Sequence, residues 1–307
     1  MREYKFYQVD VFTEEPFTGN PLAVFPDAEG LSSEEMQMIA REFGFPESTF
    51  VLPSDKEDAL YRMRIFTGTV ELPFTGHPAV GAHWVMANLG RVELTEPVTT
   101  IQYEQAVGVL TADLHVRDGQ VDYIMMDQCQ PLFMAVLNDV RPLARGLGIN
   151  PDSITQTGLP VQVVSTGMPQ LMVPVRSLAV VQRLDAAYMD IPSLTRALDA
   201  VGASFIVVFS TETEDPEADM HVRGFGHVVG IPEDPVTGSA NGALGAYLVR
   251  HRAVPVTASP VCLVGEQGSE MKRPGMLRVE VEHRDGAPTH VKVGGKVVQV
   301  IEGVIRL

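Results

Sequence analysis

Short stretches in which apolar and polar residues alternate predict that much of this chain forms β-strands. The stretches that alternate most clearly, or are richest in β-branched residues, are residues 4–12, 60–66, 107–116, 277–281 and 297–305. Because successive side chains of a strand point to opposite faces, this pattern indicates sheets with one buried face. A helical period begins after Ser32, where a Ser-x-x-Glu capping box opens an apolar stripe that Gly44 ends.

Blocks of this pattern occur twice along the chain, in the same order. The pairs are Gly-x-Pro at 19–21 and 167–169, a helical stripe ending at Gly44 and at Gly202, Thr-Gly at 75–76 and 237–238, and Glu-Gln at 104–105 and 266–267. Each Thr-Gly turn leads into a segment with few charges that is rich in Ala and Gly, which predicts buried helices over about 78–89 and about 240–250. Shared turn chemistry is the alternative explanation, but four blocks in one order favour a duplication.

The duplication predicts an α+β fold of two domains related by a pseudo-twofold axis. Each domain is expected to be a mostly antiparallel sheet rolled around a central helix, with two helices in each half. We place the first domain at residues 1–118 and the second at residues 119–290. The C-terminal strand, at about 291–307, is a candidate to join the first domain.

Composition and charge narrow the classes of protein to consider. Of the 307 residues 45% are hydrophobic, and 23 Lys and Arg against 39 Asp and Glu give a net charge of −16. This composition is typical of a globular protein, and its acidity argues against a nucleic-acid partner. The N-terminus lacks the apolar core of a signal peptide, and no apolar run is long enough to cross a membrane. Two cysteines, Cys129 and Cys262, cannot form a disulfide framework, so we expect a soluble cytoplasmic protein.

The paired Thr-Gly turns form the first candidate site. The first N–H groups of a helix have no partner within the helix, so the N-termini at Gly76 and Gly238 can bind an anionic group. Two such N-termini facing one cleft between the domains would bind a carboxylate or an oxyanion. One Thr-Gly turn alone would be interpreted as a plain turn, and it is the pairing that favours a functional site.

Differences between the two copies indicate acid–base chemistry. From the helix-ending glycine to the next phenylalanine, residues 44–50 span three positions more than residues 202–205, and we interpret the excess as an insertion that carries Glu47. Among the apolar residues of this segment a lone carboxylate would be partly desolvated, which raises its pKa towards a value useful in acid–base catalysis. The alternative interpretation is a solvated loop glutamate.

Two further positions differ between the copies. His77 occupies the place of Ser239, and Asp234 has Leu72 as its counterpart. A histidine at a helix N-terminus is pushed towards its neutral form by the helix dipole, which suits it to hydrogen-bond a substrate. Asp234 lies just before the second buried helix, so a capping role is the alternative there.

Together these motifs resemble those of the phenazine-biosynthesis isomerases (PhzF-like proteins), which share the fold of diaminopimelate epimerase. The segments that carry the resemblance are residues 10–12, 19–21, 47–50, 64–66, 74–78, 223–225, 233–240 and 293–295. The resemblance covers nearly the whole chain. Its most specific parts are the block at 233–240 and the Gly-His-Pro at 76–78.

The resemblance implies an active site between the two domains, with Glu47 as the acid/base group. In the phenazine enzyme the matching glutamate takes a proton from one ring carbon of a dihydro-hydroxyanthranilate and returns it to another. The residues that it implies for substrate binding are Asn20, Gly76, His77, Asp234, Gly238 and Ser239. It also implies a homodimer that needs no cofactor and acts on a small substrate carrying a carboxylate and an amine.

Three functions are compatible with these residues. The leading hypothesis is a cofactor-independent isomerase that moves a proton within a small metabolite by means of one glutamate. The second is an epimerase or racemase of a small amino acid derivative with His77 or Asp234 as a base opposite Glu47, and the third is a non-catalytic small-molecule-binding protein. A racemase with two thiols is not supported, because neither Thr-Gly turn carries a cysteine. No clustered His/Cys pattern or dinucleotide motif predicts a metal or nucleotide site.

Overall fold

Two sheets, each wrapped around one helix, account for most of the chain. The computed structural model describes residues 1–73 and 76–307, so that Phe74 and Thr75 of the first Thr-Gly motif lie outside the described residues. The chain divides into two compact units. Unit 1 comprises residues 1–127 and 294–307, and unit 2 comprises residues 128–293.

The division between the units falls at residue 127 rather than at the expected residue 118. Asp118 and Gly119, with φ of 54° and 73°, form the tight turn of a hairpin whose two strands both belong to unit 1. Turns of this hand match the twist of the flanking strands, and Gly readily adopts a positive φ. Asp118 and Gly119 therefore connect two strands of one sheet and do not form a linker between the units. The C-terminal segment 294–307 lies in unit 1.

Unit 1 has a mostly antiparallel sheet. Its strands are β1 (Glu3–Val11), β2 (Asn20–Phe25), β3 (Glu47–Leu52), β4 (Arg62–Phe66), β5 (Glu71–Leu72), β6 (Val98–Gln105), β7 (Gly108–Arg117), β8 (Gln120–Asp127) and β18 (Val297–Arg306), and its helices are α1 (Ser33–Phe43) and α2 (His77–Asn88). The strand order is β18-β1-β2-β3-β4-β6-β7-β8, with β5 beside β4. The pairs β2–β3 and β4–β6 are parallel.

Helices α1 and α2 pack differently, as their sequences predict. Helix α2 is buried along its length and contacts β1, β2, β3 and β8. Its small residues permit this contact: a Cβ at Gly81 would lie 2.6 Å from the Leu22 side chain. Helix α1 is amphipathic, begins at the predicted capping box of Ser32 and ends at Gly44 in the left-handed conformation. It buries Met36 and Ile39 on the sheet face opposite α2.

Unit 2 repeats this strand order. Its strands are β9 (Leu132–Val136), β10 (Gln162–Ser165), β11 (Pro169–Pro174), β12 (Phe205–Ser210), β13 (Met220–Gly226), β14 (Ile231–Asp234), β15 (Val261–Gln267), β16 (Gly275–Arg284) and β17 (Ala287–Gly295), whose last residues fall in unit 1. The order is β9-β10-β11-β12-β13-β15-β16, with β14 beside β13, and the parallel pairs are again the third and fifth, β11–β12 and β13–β15. The predicted fold of two similar sheet-and-helix halves is confirmed.

The helices of unit 2 depart from the expected two. Helix α6 (Ile191–Asp199) corresponds to α1, and the buried helix α7 (Gly238–Arg250) corresponds to α2 and contacts β10, β11, β15 and β16. The additional helices are α3 (Arg141–Leu147), α4 (Asp152–Thr155) and α5 (Leu178–Gln182), with 3₁₀ turns at Ala186–Tyr188, His227–Val229 and Ser269–Met271. Helices this short do not show a full apolar stripe, so the sequence pattern missed them. None of the helices described in residues 1–73 and 76–307 is both long and apolar enough to span a bilayer.

Candidate active site

Glu47 is the first residue of β3, and only 8% of its surface is exposed. Alternate residues of a strand share a face, so Glu47 points to the same side as Thr49. The Thr49 hydroxyl donates to the carbonyl of Pro78 in the first turn of α2, at 3.4 Å. The Glu47 carboxyl therefore faces the N-terminus of the central helix.

The burial of Glu47 was expected, but its source differs from the prediction. The expected cover was the apolar residues Phe45, Pro46 and Phe50. Phe50 lies on the opposite face of β3, in a cluster with Met36 and Ile39 of α1. The carboxyl is instead covered from the side of α2.

The predicted insertion around Glu47 is wrong. Glu47 lies opposite Leu22 across the parallel β2–β3 pair, and Phe205 lies opposite Gln170 across the parallel β11–β12 pair. Leu22 and Gln170 each follow a Gly-x-Pro block directly, so Glu47 and Phe205 occupy equivalent positions. The predicted insertion matched Phe50 to Phe205, but these two phenylalanines occupy different positions along β3 and β12. Glu47 is thus a substitution at a repeated position.

His77 brings a second polar group to the Glu47 carboxyl. It is the first residue of α2 and is 6% exposed, and its Nε2 lies 3.3 Å from Glu47 Oε2. Burial lowers the pKa of His77 to about 3, so the imidazole is neutral near pH 7. The sequence analysis expected neutrality from the helix dipole, and burial is the larger cause. A neutral imidazole N–H can donate a hydrogen bond to a carboxylate or to a substrate oxygen.

Asn20 lies on the same sheet face as Glu47. It begins β2 and is fully buried, two positions before Leu22, the residue opposite Glu47. The preceding Gly19 has a φ of 59°, and a Cβ there would lie 2.3 Å from the carbonyl oxygen of Val11. The positive φ and this close approach require glycine at position 19. Gly76, the N-cap residue of α2, completes the predicted residues of unit 1.

The predicted residues of unit 2 gather at the N-terminus of α7. Asp234 ends β14 and is 8% exposed, and the Thr237 hydroxyl donates to its Oδ2 at 2.5 Å. Gly238 begins α7 and Ser239 follows it. The first N–H groups of this helix have no partner within the helix, so this end favours an anionic group.

Gln267 supports the turn between β14 and α7. Its Oε1 accepts from the Thr237 N–H at 3.1 Å and from Asn241 Nδ2 at 2.9 Å. Its Nε2 donates to the carbonyl of Asp234 at 2.9 Å and to Thr237 Oγ1 at 3.2 Å. Four hydrogen bonds from one buried amide hold the turn that presents Asp234 and Gly238.

Charged groups form a second layer behind this turn. His221 Nδ1 lies 2.6 Å from Glu266 and its Nε2 lies 3.0 Å from Glu270. Burial lowers the pKa of His221, but hydrogen bonds to the two carboxylates outweigh it and raise the pKa to about 9. Arg223 makes a two-pronged ion pair with Glu233, the neighbour of Asp234 in β14. The contacts of His221 connect β13 to β15, and the ion pair of Arg223 connects β13 to β14, which carries Asp234.

Gln170, Gln267 and His221 lie close to the predicted site residues of unit 2, but the sequence does not predict them as part of the site. Gln267 belongs to the repeated Glu-Gln block, so the repeat could have indicated its importance. Gln170 had the weaker signal of a polar residue where the first copy has Leu22. Nothing in the local sequence marks His221, because its partners Glu266 and Glu270 are distant along the chain.

Comparison with known proteins agrees with this description. Residues 9–303 match the family described as phenazine biosynthesis-like protein, PhzC-PhzF. The uncharacterized isomerase YddE of Escherichia coli (strain K12) is 37% identical over 295 residues, covering 95% of each chain. A crystal structure of a Bacillus anthracis phenazine biosynthesis protein of the PhzF family has a TM-score of 0.87 and 30% identity, covering 100% of both chains. The structure of a predicted epimerase, PA4716 of Pseudomonas aeruginosa, has a TM-score of 0.79 and 33% identity, covering 98% of this chain and 99% of that one.

The match to a relative that is named an isomerase identifies this chain as an isomerase. The match over nearly the whole length places it more narrowly. This chain belongs to the phenazine biosynthesis-like, or PhzC-PhzF, family.

Proposed function

We propose that this isomerase moves a proton within a small metabolite that carries a carboxylate and an amine, with Glu47 as its single acid/base group and without a cofactor. The observation that carries the proposal is the buried Glu47 carboxyl, 3.3 Å from the neutral imidazole of His77. One carboxyl on one face of a substrate can both remove a proton and return it.

The substrate-binding roles follow from the chemistry of each group. In unit 1 we assign binding to Asn20, Gly76 and His77, and in unit 2 to Asp234, Gly238 and Ser239. The helix N-termini at Gly76 and Gly238 suit a carboxylate, since their free N–H groups carry partial positive charge. The Asp234 carboxylate suits an amine. The homodimer implied by the family resemblance stays a prediction, which light scattering in solution can test.

A two-base epimerase is the second candidate, and the relative named a predicted epimerase is the observation in its favour. Two bases on opposite faces of one carbon must lie about 6–7 Å apart, because each approaches to about 3 Å. Glu47 and His77 are too close together for this role. Asp234 is therefore the remaining candidate for an opposing base.

Solvent-deuterium exchange tests the proposal. Cyclic and linear amino carboxylates are incubated with the protein in D₂O, and incorporation is followed by NMR and mass spectrometry. Replacing Glu47→Gln should lower turnover by about 10²–10⁴-fold and leave ligand affinity and melting temperature close to wild type, because the amide is nearly isosteric. Glu57→Gln, at an exposed loop position, is the matched control.

The other variants separate the roles. Asp234→Asn and His77→Ala should weaken ligand affinity as well as rate, since we assign them to binding. Return of the proton to the face from which it came supports one base, whereas inversion supports the epimerase. Near wild-type turnover by Glu47→Gln would show that another group moves the proton. Binding without exchange or turnover would indicate a non-catalytic protein.

A further inference from the structure

Gln170 is a fully buried polar residue that the proposed reaction does not use. It lies in β11 at the position that Leu22 occupies in β2, beside Phe205, which occupies the position of Glu47. Gln170 is therefore the counterpart of Leu22, which lies beside Glu47 in unit 1. Its Nε2 lies 3.1 Å from Ser239 Oγ.

The direction of this hydrogen bond follows from the neighbouring atoms. Gln170 Oε1 is buried and has no hydrogen-bond partner among residues 1–73 and 76–307. With the amide as it stands, one N–H of Nε2 donates to Ser239 Oγ, and Oε1 and the second N–H are left over. The flipped amide would accept from Ser239 and leave both N–H groups of Nε2 buried without acceptors, which is worse.

The consequence concerns the Ser239 hydroxyl. Its oxygen accepts from Gln170, so its own proton is directed elsewhere. The Thr166 hydroxyl donates to the backbone carbonyl of Ser239 at 3.4 Å and steadies the start of α7. Ser239 then adds a hydroxyl donor to the N–H donors of the helix N-terminus.

We infer that Gln170 is a positioning residue: it sets the Ser239 hydroxyl as a hydrogen-bond donor, so that the ligand group bound there is an acceptor oxygen of a carboxylate or carbonyl. The inference rests on the proposed function in one respect, namely that Ser239 contacts the ligand. It adds a specificity rule, since an acceptor oxygen takes up the hydroxyl proton, whereas an N–H group would compete with Gln170 for the hydroxyl oxygen and leave that proton without an acceptor. The amine of the substrate is consequently directed away from Ser239.

Binding of two matched probes tests this rule. The probes are 2-aminobenzoate and 2-aminobenzamide, which differ in that one carboxylate oxygen is replaced by an NH₂ donor. Affinities are measured by calorimetry for wild type, Gln170→Leu, Ser239→Ala and the double variant. Leucine is the residue that unit 1 holds at this position, and the exposed Gln156→Leu is the control.

We expect Gln170→Leu and Ser239→Ala each to weaken 2-aminobenzoate binding about tenfold and to reduce the preference over the amide. The double variant should lose no more than Ser239→Ala alone, because Gln170 acts through Ser239. Gln170→Glu, which accepts from the hydroxyl and turns its proton inward, should weaken the carboxylate probe further. Melting temperatures identify any loss caused by unfolding, and if Gln170→Leu does not fold, Gln170→Met replaces it.

Three results would overturn the inference: wild type that does not bind 2-aminobenzoate, Gln170→Leu that keeps the full carboxylate preference, or additive losses in the double variant. The result is separable from the proton-transfer proposal. Coupled losses at Gln170 and Ser239 together with full turnover by Glu47→Gln would leave this inference standing and remove that proposal. Additive losses at Gln170 and Ser239 together with lost turnover by Glu47→Gln would overturn this inference and support the proton-transfer proposal.

Discussion

The two units present the same helix end to different partners. In unit 1, the first side chain of α2, His77, is met by Glu47 from β3. In unit 2, Ser239 at the equivalent place in α7 is met by Gln170 from β11. One backbone arrangement thus carries a titratable pair in one copy and a neutral amide–hydroxyl pair in the other. The two copies of the scaffold thus differ by side chains at adjacent strand positions, Glu47 and Leu22 in unit 1 against Phe205 and Gln170 in unit 2.

The support around the two helix ends differs as well. Gln267 makes four hydrogen bonds around the turn before α7. Its counterpart Gln105 is 2% exposed, and neither of its amide atoms has a partner within the described part of the chain. The two glutamines therefore differ in their hydrogen bonds to the described residues.

Equivalent ion pairs show the same contrast. Arg223 and Glu233 of unit 2 have side chains 4% and 11% exposed, whereas Arg64 and Glu71 of unit 1 have side chains 17% and 39% exposed. Arg223 also donates to the carbonyls of Val181 and Leu184. The pair of unit 2 is therefore integrated into the interior, and that of unit 1 lies near the surface.

The largest effect on stability is expected at these ion pairs. Arg223→Met should lower the free energy of unfolding by about 3–5 kcal/mol, because it leaves the largely buried Glu233 carboxylate without its partner. Arg64→Met should cost about 0–1 kcal/mol, as for an exposed pair. Urea unfolding of both variants measures the difference. Equal losses would show that the two pairs contribute alike despite their different burial.

Two sets of buried histidines should give the free energy of unfolding pH dependences of opposite sign. The folded-state pKa of His221 is raised to about 9, so its contribution is complete below pH 6.5 and is lost as pH rises through 9. The pKa values of His77 and His83 are lowered to about 3 by burial, so their contribution is present above pH 6.5 and is lost as pH falls towards 3. At about 1.4 kcal/mol per pKa unit, His221 contributes up to about 3 kcal/mol.

Hydrogen exchange of peptides from each unit, corrected for the intrinsic rate at each pH, measures this difference. Protection in unit 2 should fall between pH 7 and 9, and protection in unit 1 should fall between pH 6 and 4. His221→Gln should remove the alkaline loss and leave the acidic one. An alkaline loss of protection in unit 2 that persists in His221→Gln would contradict the assignment to His221.

The smallest effect is expected at the equivalent amphipathic helices. Ser32 caps α1 in a complete capping box with Glu35, and Asp190 caps α6 by accepting from Ser193. Ser32→Ala and Asp190→Ala should each lower the free energy of unfolding by about 1 kcal/mol. Ser32→Asp, which keeps an oxygen acceptor, should restore most of the loss. A cost confined to one helix would mean that the two ends are not equivalent in energy.

Local patterns predicted the elements that depend on neighbouring residues. The Ser32 capping box and the Gly44 stop located α1, and the Ala/Gly-rich segments located α2 and α7. Strand register could not be predicted in this way, since a gap in one copy and a shifted aromatic residue look alike in sequence. For that reason the sequence predicts an insertion at Glu47, whereas the strand pairing places Glu47 opposite Leu22, at the position that Phe205 has in unit 2.

The duplication, the α+β class and the family could be predicted from the sequence, because repeated turns, capping boxes and apolar periods are properties of neighbouring residues. The sequence also singled out Glu47, His77, Asp234 and Ser239. Which side chains contact each other is visible in the three-dimensional structure alone: Glu47 with His77, Gln170 with Ser239, and His221 between Glu266 and Glu270. These partners are far apart along the chain. Their distances, burial and charge depend on how strands pair and where a helix end is set, which no local pattern specifies.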